Sequence, residues 1–177
     1  MNDEYRTLVA RLLALEPLTS DGLRCVYLPS FSPEVALALT GQSLTISTLA
    51  RSAWSFLEKR RGSPYGDPVV DWVEPARSSE TLRLSAEQAR HVLQRLPPPG
   101  TEAKAFGIDG MTVDLAWRLG TSSGHASAWV GVSTPETQLA RELLATALRH
   151  ASFDATRAAL AQLLRYFPTH CPCARPF

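Results

Sequence analysis

The chain has 177 residues, 45% of them hydrophobic and 20% charged, a composition ordinary for a globular domain. Eighteen basic residues against seventeen acidic leave a net charge of +1, which offers no basic face for nucleic acid. No apolar run approaches the roughly 20 residues that a membrane helix needs. Asp3 and Glu4 stand where an export signal carries Lys or Arg, and three cysteines are an odd number for a disulfide framework, so the expected compartment is the cytoplasm.

A domain of this size buries on the order of 70% of its unfolded surface, enough to fold without a disulfide or a metal. One domain over residues 1–177 is expected. Pro97-Pro98-Pro99-Gly100 is the best internal boundary, although four residues make a turn rather than a linker.

In chain order, Leu8, Leu12 and Leu15, joined by Tyr5 and Val9, space a helix from Glu4 to Leu15 that Pro17 closes. Leu23–Leu28 reads as a strand ending at Pro29. Val35, Leu37 and Leu39, then Leu44 and Ile46, alternate with small polar residues around Gly41-Gln42, which predicts a hairpin; a helix from Ser32-Pro33 is the competing assignment. Leu49–Glu58 fits either type, and the alternation of Trp54 with Phe56 tips it to strand.

Arg61–Ser79 carries three prolines and two glycines and reads as irregular, with Tyr65 and Trp72 to anchor it. Thr81–Leu84 is a short strand. Ser85 with Gln88 forms a capping box for a helix burying Ala89, Val92, Leu93 and Leu96. Ala105–Leu119 and His125–Val132 are the arms of a second hairpin, entered through a bend at Ile108-Asp109-Gly110 and turned by Gly120–Gly124. Met111, Val113, Leu115 and Trp117 share one face, with Asp114 and Arg118 pointing outward. Thr134 caps a helix with Pro135 in its first position, and Ser152 caps another lined by Phe153, Leu160, Leu163, Leu164 and Phe167. The sum is an α+β fold: a mostly antiparallel sheet of about five or six strands with amphipathic helices packed on one side.

Chemistry-bearing motifs are sparse. His170, Cys171 and Cys173 are three soft ligands close together, but a structural zinc site takes four, and the remainder would have to come from Cys25, His91, His125 or His150. A redox pair would need a C-x-x-C spacing that this tail lacks. There is no glycine-rich phosphate loop and no nucleophile elbow. Asp109 or Asp114 with His125 could pair as acid and base across the hairpin. No cofactor is expected.

What remains is aromatic and basic surface. Arg60, Arg61, Tyr65 and Trp72 are residue types that dominate binding hot spots, so they form the expected partner-binding face. The bend at Gly107, Asp109 and Gly110, with Trp117 and Trp129 on the hairpin and helices after it, resembles small uncharacterised bacterial α+β proteins, some of them immunity proteins that neutralise toxins used between bacteria. That resemblance implies a non-catalytic factor whose partner is another protein, a toxin among the candidates, with no nucleic acid or membrane and with room for a homodimer. The competing reading is an enzyme, or a zinc-dependent factor using His170, Cys171 and Cys173.

Overall fold

The computed structural model describes residues 3–60, 73–97 and 110–168. Its elements run α1 (Asp3–Leu12), β1 (Gly22–Pro29), β2 (Val35–Thr40), β3 (Ser43–Leu49), α2 (Ala53–Arg60), β4 (Arg77–Arg83), α3 (Ala86–Leu93), β5 (Met111–Leu119), β6 (Ser122–Trp129), α4 (Pro135–His150) and α5 (Asp154–Leu164). The strands form one open sheet in the order β4-β3-β2-β1-β5-β6, every neighbouring pair antiparallel. Strands from both sides of residues 97–100 therefore share this sheet, with β5 pairing to β1 along its whole length.

The alternation read from the sequence becomes register. Gly41 and Gly120 each take φ +56° at the first position of a two-residue turn, a conformation that costs glycine nothing. The β5–β6 turn is tighter than the five-residue connection expected, because Ser122 and Ser123 continue the ladder opposite Leu119 and Arg118.

Central strand β1 is apolar on both faces because both faces are covered. Leu23, Cys25 and Tyr27 join Leu37, Val113 and Leu115 beneath α3, α4 and α5, whose contribution includes Leu139, Leu143, Leu144 and Leu160. The hydroxyl of Tyr27 donates to the Ala140 carbonyl at 2.7 Å, which satisfies a polar atom that burial would otherwise strand. Val26 and Leu28 project the opposite way and join Ala36 and Leu49 beneath α1 and α2, through Tyr5, Leu8, Val9, Ala53 and Leu57. Three helices thus pack together on one side, as expected, and two more cover part of the other. Each fully buried Leu contributes about 1.5–3 kcal/mol relative to exposure, so both layers stabilise the sheet.

Two local expectations are corrected. Residues 53–60 are helix, not strand, with the N-terminal donors answered by the buried Glu34 carboxylate and by Ser52: Ala53 N donates to Glu34 at 2.8 Å, and Trp54 N lies 3.2 Å from Ser52 Oγ and 3.4 Å from the carboxylate. Ser152 does not cap α5. Phe153 holds the cap position without a side-chain bond, and Glu80 of β4 accepts from Ser152 N at 2.6 Å and from Phe153 N at 3.5 Å. Strand β4 also begins earlier than expected, at Arg77, where Ser78 and Ser79 pair with Thr48 and Ser47.

Candidate functional site

At the end of the sheet carrying the β2–β3 and β5–β6 turns, α3 leaves an open groove of about 700 Å³. Its position follows from local sequence. The Ser85–Gln88 capping box, present in both directions at 3.1 and 2.9 Å, fixes where α3 begins. Ala89, Leu93 and Leu96 then face Trp117 and Leu119 across the groove. Trp117 is almost fully buried as its floor, and it lies flat against β6 only because residue 124 is glycine: a Cβ there would stand 2.3 Å from the indole. Leu119 stays 36% exposed at the mouth. Arg90 is the charged side chain on the lining among the described residues, and no ion pair to it is formed among them. The groove therefore pairs an apolar floor with one arginine at its rim.

Of the residues expected to bind a partner, Arg60 ends α2, and Arg61, Tyr65 and Trp72 lie outside the described residues, as do His170, Cys171 and Cys173. The candidates for completing a metal set are dispersed. Cys25 is in the core, where burial pushes its thiol up to about 12. His91 sits 3.9 Å from Glu142, and the ring of His150 is 3.2 Å from the Gln88 amide. No three His, Cys, Asp or Glu side chains converge among the described residues.

Asp114 is not simply an outward residue. Its Oδ1 accepts from Ser127 Oγ at 2.6 Å and from Arg6 at 3.0 Å, so β5, β6 and α1 meet at one carboxylate. His125 lines a cavity with Asp114 without a hydrogen bond to it, so that pairing is not assembled, and the alternative partner Asp109 lies outside the described residues.

Sequence reasoning missed the buried carboxylates. Glu34 is fully buried and accepts from Tyr5 Oη at 2.6 Å and Ser52 Oγ at 3.2 Å, in addition to the α2 backbone. The Tyr5 hydroxyl is held far above its ordinary range by burial and by this neighbouring charge. Trp54 closes the cluster edge-on to Tyr5, with ring centroids 5.4 Å apart. The available signal was an acidic residue between Pro33 and an apolar strand, where a solvated loop would not need burial. The Glu34 and Glu80 carboxylates are taken up by backbone N–H groups at the starts of α2 and α5. Compared with protein-family models, curated proteins and solved structures, the chain matches none.

Proposed function

We propose that the protein is a non-catalytic binding factor, of the immunity or regulatory kind, and that a partner protein seats an apolar segment in the groove between α3 and the β5–β6 hairpin. The observation that carries this reading is the groove itself, about 700 Å³, floored by Trp117 and Leu93 and rimmed by Arg90. A factor that neutralises a toxin by covering its working surface needs shape and charge complementarity, not reactive groups. Arg90, without an ion-pair partner among the described residues, specifies the charge: the occupant carries an acidic residue beside its apolar stripe. Arg60, Arg61, Tyr65 and Trp72 remain a second proposed contact, chosen on residue type alone.

Photo-crosslinking inside cells tests the two surfaces side by side. A photoreactive residue at Gln94 is expected to give an adduct to one other protein, through a peptide combining apolar and acidic residues, and L119E is expected to abolish it. Adducts formed at Tyr65 alone, or a crosslink from position 94 into residues 98–109 of the same chain or into a second copy, would overturn the groove reading.

A further inference from the structure

The opposite face of the sheet holds a second concavity, independent of the groove. Helix α1 covers β1 but stops short of β5 and β6, which leaves a cavity of about 290 Å³ between them. Most of its wall is aliphatic, from Val9, Ala10, Leu15, Val26 and Ala116, and its polar groups gather at Arg6, Arg24, Asp114, His125 and Ser127.

Two guanidinium groups and one carboxylate line this cavity. Arg6 spends one terminal nitrogen on Asp114 and Ser127, both at 3.0 Å, while its Nε is buried with no hydrogen-bond partner among the described residues. Ser127 donates to Asp114 at 2.6 Å, so the Arg6–Asp114–Ser127 triangle is a rigid floor. Arg24 donates to the main-chain carbonyl of Glu16 and has no carboxylate partner among the described residues. It is partly desolvated, and burial lowers its affinity for its own proton. A buried guanidinium donor with no acceptor is costly, and since Asp114 already pairs with Arg6, the positive charge of Arg24 on the same lining is left unbalanced among the described residues.

We infer that this cavity between α1 and the β1-β5-β6 face binds a small organic monocarboxylate, its carboxylate between Arg6 and Arg24 and its apolar body against Val26 and Ala116. A planar carboxylate matches the guanidinium fork in two parallel hydrogen bonds. A phosphate dianion matches less well, because Asp114 would face its second charge across a low-dielectric wall. The volume lies at the small end of ligand pockets, which excludes a nucleotide.

Isothermal titration and amide NMR shifts with benzoate and 3-phenylpropionate test the assignment, with benzamide and inorganic phosphate as controls. Saturable carboxylate binding is expected, with shifts at residues 6, 24 and 125–127 and none from benzamide. R24Q removes the guanidinium that carries no structural ion pair and should weaken binding ~tenfold or more. A116L fills the cavity without touching a charge and should abolish binding. No saturable binding by about 10 mM, equal binding of phosphate or benzamide, or unchanged affinity in either folded variant would overturn the assignment.

Discussion

The carboxylate of Glu34 receives the backbone N–H of Ala53 at 2.8 Å while Tyr5 donates to its other oxygen at 2.6 Å, so one side chain joins the sheet to both helices of the second layer. Helix α2 forms where its own sequence is ambiguous, with its first donor answered from 19 positions upstream and its second shared between Glu34 and Ser52. Removing the acceptor leaves several donors buried. E34A should destabilise the fold by about 3–5 kcal/mol, E34Q by less because it keeps one acceptor, and Y5F by about 1–3 kcal/mol. Urea titration with circular dichroism reads all three. A double-mutant cycle between Y5F and E34Q should show coupling, and additive effects would contradict the cluster.

A third buried glutamate is placed differently. Glu136, in the first turn of α4, is 1% exposed, and neither carboxylate oxygen has a hydrogen-bond partner among the described residues. The helix dipole favours a negative charge there by about 0.3–1 kcal/mol, less than the several kcal/mol that an unpaired buried ion costs. E136M should therefore raise stability by about 1–3 kcal/mol. A fall in the midpoint of unfolding would mean that the helix terminus outweighs desolvation.

Gly124 and Trp117 face each other across the β5–β6 ladder, and a methyl group on Gly124 would overlap the indole at 2.3 Å. G124A should cost about 1–3 kcal/mol by displacing the ring, and it should distort the groove floor with it. W117L, costly in the native background, should be less costly in G124A. Equal cost in both backgrounds would contradict the packing.

These particulars show which parts of the fold could be read in advance. Wherever a signal was local it was legible: Val35-Leu37-Leu39 alternation gave β2, Gly41 gave its turn, and Ser85 with Gln88 gave the start of α3. The misassigned pieces have non-local causes. At α2 the Glu34 carboxylate from elsewhere in the chain joins the local Ser52 Oγ in accepting helix donors, and before α5 the Ser152 and Phe153 N–H groups donate to Glu80, so local residues alone could not reveal either start. The second helical layer escaped notice because α1 shows an apolar stripe without showing which sheet face receives it. The groove was illegible for a related reason: Trp117 and Leu93 read as core positions, and only the pairing of β5 with β1 and the seat of α3 leave space between them.

Burial also sets a pH dependence. An acid held more tightly protonated in the native state contributes fully below its unfolded pKa, and that contribution declines as pH rises toward its folded value. The Cys25 thiol moves from its ordinary 9.0 to about 12, chiefly through burial, so its loss falls between those limits. Tyr27, shifted upward by burial and then by Cys25, and Tyr5, shifted by burial and then by Glu34, extend the decline above pH 10.0. Urea unfolding at roughly pH 8 and pH 10.5 should show a fall that C25A reduces by on the order of 1–2 kcal/mol. The same fall in C25A would mean that Cys25 is not its source.

Once a crosslinked partner is identified and purified, its affinity for L119E, R90E and the distant surface variant F153S, set against the unmodified protein, decides whether the groove is where this chain works. A hot-spot position lost at about 2 kcal/mol weakens binding roughly thirtyfold, which is the effect expected of L119E and R90E, with F153S unchanged. Affinities for L119E and R90E within about a factor of two of the unmodified protein would place the partner elsewhere.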